Sequence, residues 1–96
     1  MVRHLNNKNK YKKVSNIGAY IFSLLTLHKM TINFFCKMSG IGERSLKRIL
    51  NENNNYPSMR NFYKICKMLE LVTGTHWMTH AQNILKIIEE EHKSES

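Results

Sequence analysis

Arg44, Lys47, Arg48 and Asn51 fall at i, i+3, i+4 and i+7, the spacing that brings side chains onto one face of an α-helix. Leu46, Ile49 and Leu50 take the complementary positions, so burying that stripe turns three cations and an amide outward together. The chemistry on offer is capture rather than bond making. A guanidinium fork fits paired acceptors, and a lysine ammonium acts as a point charge beside an anion.

The other candidates reduce to structural roles. His76 and His80 stand four apart, a spacing at which two imidazoles can share a metal, but no third ligand accompanies them and both are read as surface histidines. Cys36 and Cys66 lie in apolar helical stretches without the spacing of a structural zinc site, so reduced core thiols are expected and no metal. The chain lacks an acid, base and nucleophile constellation and a Gly-rich phosphate loop, so neither enzymatic activity nor a cofactor is expected.

Charge points toward a polyanionic partner. The net charge is +8, and residues 1–69 hold thirteen Lys and Arg against Glu43 and Glu52, whereas residues 70–96 hold Lys86 and Lys93 against five Glu. The basic body suits an anionic surface, and the acidic end suits another role. Ninety-six residues, 42% of them apolar, make one small domain with a thin core rather than a substrate-enclosing enzyme. With four Gly, one Pro and apolar residues recurring at intervals of three and four, the domain reads as all-α with five helices.

Residues 1–14 read as a flexible basic arm carrying Arg3, Lys8, Lys10, Lys12 and Lys13. No signal peptide is evident, and Ile17 to Leu27 is too short and too polar to cross a bilayer, so a reducing cytoplasm and no membrane are expected. Ser15 or Asn16 caps a first helix with Ile17, Ile21, Leu24, Leu25 and His28 on one face. Thr31 caps a second through Met38, with Phe35, Cys36 and Met38 toward the core, and Gly40 supplies a left-handed turn. A third runs from Gly42 to Asn51, and Asn53, Asn54 and Asn55 form a loop before Pro57. Ser58 starts a fourth helix burying Met59, Phe62, Tyr63, Ile65, Cys66 and Leu69. Gly74 breaks the pattern, and a fifth helix spans Thr79 to His92.

The segment MTINFFCKMSGIGERSLKRIL, with Cys36 where a small Ala is common, Gly40 at the turn and Leu46 and Ile49 inward, is followed by YPSMRNFYKICKMLEL. Together they resemble the Cro/repressor-type, or xenobiotic-response-element-like, helix-turn-helix family over Ile17 to Trp77. The resemblance implies a five-helix lambda-repressor-like domain across residues 15–78, its helix-turn-helix formed by the second and third helices, with Trp77 and Met78 as a hydrophobic lock. It also implies that the third helix enters the major groove of DNA. Gly42, Glu43, Arg44, Ser45, Lys47 and Arg48 inherit that surface. Arg44 is the choice for a bidentate guanine contact, while Asn51 and the Asn53, Asn54 and Asn55 loop are phosphate candidates.

Three positions bear on the family pattern. Ile32 stands where many members carry a phosphate-anchoring Gln, and it has no side-chain donor. Glu43 either accepts from cytosine N4 or stays at the helix N-terminus, and the second is preferred because the helix dipole favours a negative charge there. Phe34, at a position often polar in the family, packs under the arm or a partner, or enlarges the core.

Residues 79–96 form a C-terminal helix and acidic tail whose Ile84, Leu85, Ile87 and Ile88 either fold back or meet a second copy, a dimer being preferred. The expected protein is a sequence-specific double-stranded DNA-binding regulator, a homodimeric repressor of phage or plasmid type acting on an inverted-repeat operator. The arm either wraps the duplex or is a solubilising tail. The alternative is an antitoxin or phage-encoded protein-interaction module with a protein partner.

Overall fold

The computed structural model describes residues 14–53 and 55–95. These form five α-helices and no strands: α1 (Asn16–Leu27), α2 (Ile32–Ser39), α3 (Glu43–Asn51), α4 (Met59–Thr73) and α5 (Trp77–Glu95).

Three helix starts use the side-chain caps that the sequence signals. Ser15 Oγ accepts from Gly18 N, Thr31 Oγ1 from Phe34 N and Ser58 Oγ from Asn61 N, which satisfies N–H groups left without an intrahelical partner. Gly40 ends α2 at φ 78°, a conformation in which a Cβ would be strained. α5 starts two residues earlier than expected, at Trp77. There Glu70 Oε2 accepts from Trp77 N at 3.3 Å and His76 Nδ1 from Met78 N at 3.1 Å, so a carboxylate from α4 and an imidazole do the work of a Ser or Asp cap.

The core joins all five helices through Ile21, Leu25, Phe35, Leu46, Leu50, Ile65, Leu69 and Ile84, all fully buried. α5 packs mainly on α4 and also on α1, α1 crosses α3 and α4, and α2 lies on α4. Several side chains differ from expectation. Met59, assigned to the buried side of α4, is 83% exposed; Met38, Tyr63 and Met78 also face solvent, as does His28. Periodicity locates a helix's inner stripe, but whether a flanking position is covered depends on the neighbouring helix.

His80, expected at the surface, is buried between α1, α4 and the body of α5. Ile84, expected in a seam between copies, is 0% exposed within the single chain. α5 thus folds back along its Ala81 and Ile84 face, with Ile87 and Ile88 packed partly against the core and Leu85 54% exposed.

Candidate nucleic-acid interface

α3 divides sharply by face. Leu46, Ile49 and Leu50 are buried, while Glu43, Arg44, Ser45, Lys47 and Arg48 are all exposed. Burial of the three aliphatic side chains therefore holds Arg44, Lys47 and Arg48 outward on a fixed backbone, which lets their charges converge on a phosphate or a base edge. Gly42 is the N-cap and makes no side-chain bond. Glu43 follows in the first turn, where the helix dipole stabilises a carboxylate.

The far end of the expected surface is different. Asn51 is half-buried, and its Oδ1 is inaccessible and without a hydrogen-bond partner, so that oxygen does not join the exposed cationic stripe. Asn53 Oδ1 accepts from Asn16 N at 3.0 Å, and Asn55 Nδ2 donates to Glu52 Oε1 at 3.0 Å. The first ties the loop to the start of α1, and the second is a local bond within the loop. Asn54 and the arm cations Arg3, Lys8, Lys10, Lys12 and Lys13 lie outside the described residues.

Two polar residues of α2 escaped the sequence reading. Asn33 and Lys37 line an open cleft of about 560 Å³ between the motif helices, together with Cys36, Gly42 and Glu43. Their i, i+4 spacing opposite Ile32 and Phe35 was the available signal. Cys36 Sγ donates to the Ile41 carbonyl at 3.4 Å. Burial raises its thiol pKa, and the nearby Glu43 charge raises it further, which places the Glu43 carboxylate within electrostatic reach of this cleft. Phe34 stays 47% exposed, so it does not enlarge the core.

The fold and this face define a helix-turn-helix DNA-binding module with α2 and α3 as the motif. The chain belongs to the Cro/C1-type HTH DNA-binding domain family, which matches residues 21–74. Neither the search of curated proteins nor that of solved structures returned a match. The architecture is lambda-repressor-like, and family membership makes the protein a DNA-binding regulator of a typically non-enzymatic class. Among the described residues, no helix is long and apolar enough to cross a membrane.

Proposed function

We propose that this protein is a sequence-specific transcriptional repressor that binds an inverted-repeat operator as a homodimer. The observation that carries the reading is the exposed Arg44, Lys47 and Arg48 face of α3, held outward by the fully seated Leu46, Ile49 and Leu50. In the major groove, Arg44 reads guanine O6 and N7, Lys47 and Arg48 meet bases or flanking phosphates, and Ser45 lies close to the bases. Glu43 acts structurally at the helix N-terminus.

The dimer forms through the outward side of α5, on Leu85 with the half-buried Ile88, and this surface excludes Ile84. A dimer seated on its operator blocks polymerase sterically, which is the basis for repression. The abundance of Asn and Lys supports an AT-rich source such as a phage or plasmid, and a cytoplasmic setting follows from the target. The arm supplies further phosphate contacts.

Selection of bound duplexes from a random pool tests the reading. An inverted repeat recovered with salt-sensitive affinity supports it; recovery of no preferred sequence overturns it. The second reading, an antitoxin or other protein-interaction module, draws on the exposed Leu27, Met59 and Leu71, apolar side chains that a DNA-binding role does not use. A partner copurifying at equal stoichiometry would favour it.

A further inference from the structure

His80 is buried in the first turns of α5, where α5 meets α1 and α4. Its Nδ1 lies 2.8 Å from the Tyr20 hydroxyl of α1, and its Nε2 lies 2.9 Å from Thr73 Oγ1 at the end of α4. The surrounding bonds determine which nitrogen carries hydrogen. Thr73 Oγ1 donates its single hydrogen to the Leu69 carbonyl at 2.8 Å and accepts from Thr75 N at 3.1 Å, so toward His80 it can only accept. Nε2 must therefore donate. Nδ1 keeps a lone pair, the Tyr20 hydroxyl donates to it, and the Tyr20 oxygen accepts from Asn83 Nδ2 at 3.0 Å. One neutral tautomer satisfies the whole cluster.

We propose that His80 is a proton-operated latch, holding α5 against α1 and α4 while neutral and releasing it when protonated. A proton added to Nδ1 would meet the hydrogen that Tyr20 already points at that nitrogen. The phenol hydrogen must then swing off Nδ1, so that the Tyr20 oxygen accepts from Nδ1–H beside the donating Asn83 Nδ2. The hydroxyl gives up its acceptor within the cluster, and a cation is left buried.

Tyr20 from α1 and Glu70 from α4 are the titratable groups that face the imidazole, with the exposed His76 one turn earlier in sequence. Glu70 favours the proton, but its carboxylate already holds Lys67 Nζ at 3.0 Å and Trp77 N at 3.3 Å. Burial lowers the His80 pKa, and the Glu70 charge opposes that shift without cancelling it. The folded form therefore prefers neutral imidazole. The stability it contributes is fully present above the ordinary value of 6.5 and is lost as pH falls from there through the lower folded value. Release would uncover Ile84 together with the partly covered Ile87 and Ile88. The latch rests on the fold alone and holds whether or not α3 reads DNA.

The test is a long-range proton–nitrogen spectrum of the imidazoles in the full chain between about pH 7.5 and about pH 5.5, the interval in which histidine titrates. Amide exchange is followed in parallel and corrected for intrinsic rates. The expected result is an Nε2–H tautomer for His80 and loss of α5 protection as it protonates, while α2 and α3 stay protected. An Nδ1–H tautomer, or α5 protection indifferent to protonation, overturns the latch. His80→Gln, which cannot take up the proton, should hold α5 protection constant across this range, and the wild-type decline in a folded variant would overturn the proposal too. If that variant fails to fold, the wild-type spectra decide.

Discussion

Ser15 and Ile49 are joined by a 2.7 Å bond from the Ser15 hydroxyl to the Ile49 carbonyl, which ties the start of α1 to the last turn of α3. Ser15 N also donates to the Leu50 carbonyl at 2.7 Å, while the Ser15 oxygen accepts from Gly18 N at 2.8 Å. One buried residue thus caps one helix and satisfies two carbonyls near the end of another, groups that a helix C-terminus leaves without internal partners. Gly18 permits the approach, since a methyl there would run into the Leu50 carbonyl. The C-terminal end of α3 is thereby held by α1.

Ser15→Ala should therefore lower stability by about 1–3 kcal/mol, because it removes the cap and leaves a buried carbonyl short of a donor. Gly18→Ala should also destabilise, through steric displacement of α1 from α3. Urea unfolding followed by circular dichroism checks both. A midpoint unchanged by Ser15→Ala would mean that the tie contributes nothing.

Arg44→Ala should leave stability unchanged, since the side chain is exposed. Its affinity for the selected operator should fall by about 1–3 kcal/mol, with relaxed preference at one base position. Competition binding on specific and random duplexes separates the roles: equal losses on both would make Arg44 a phosphate contact.

Removing residues 2–13 deletes five cations. Specific and nonspecific binding should weaken together, and the slope of log K against log salt should flatten by roughly 0.9 for each phosphate the arm no longer neutralises. Binding titrations across a salt series measure it. An identical slope for the shortened and full chains would show that the arm does not meet DNA.

The thiols should differ in reactivity. Cys66 is fully buried, and burial pushes its pKa up to about 11, so little thiolate exists at neutral pH. Cys36 is only half-buried beside an open cleft. Mass spectrometry after timed alkylation of the native protein should find Cys36 modified first, and Cys66 only when the chain opens.

How far the sequence spoke depended on what kind of force placed each residue. The α3 stripe was legible because Leu46, Ile49 and Leu50 alternate with charges within one helix, and the capping residues Thr31 and Ser58 act over three positions. His80 was not legible, since its partners Tyr20 and Thr73 come from other helices and only the fold brings them together. The half-burial of Asn51 was not legible either, because a helical wheel assigns a direction to a side chain but not what packs beside the end of its helix. The start of α5 was missed for a related reason: its capping carboxylate, Glu70, arrives from the preceding helix.

The assembly surface gives the sharpest test, because Leu85 and Ile84 are adjacent in sequence and opposite in environment. Leu85 is 54% exposed and Ile84 is 0% exposed, so a charge at each position has a different consequence. If α5 pairs across a two-fold axis through its outer side, Leu85→Lys should yield a folded monomer, with two lysines repelling across the seam. Operator affinity should then collapse although α3 is untouched, since half-sites about 34 Å apart are read jointly only by a dimer. Ile84→Lys should instead unfold the domain, because an unpaired ammonium cannot be solvated in the core. Sedimentation with circular dichroism distinguishes these results. A Leu85→Lys dimer would place the seam on another surface, and a well-folded Ile84→Lys chain would show that α5 is not part of the monomer core.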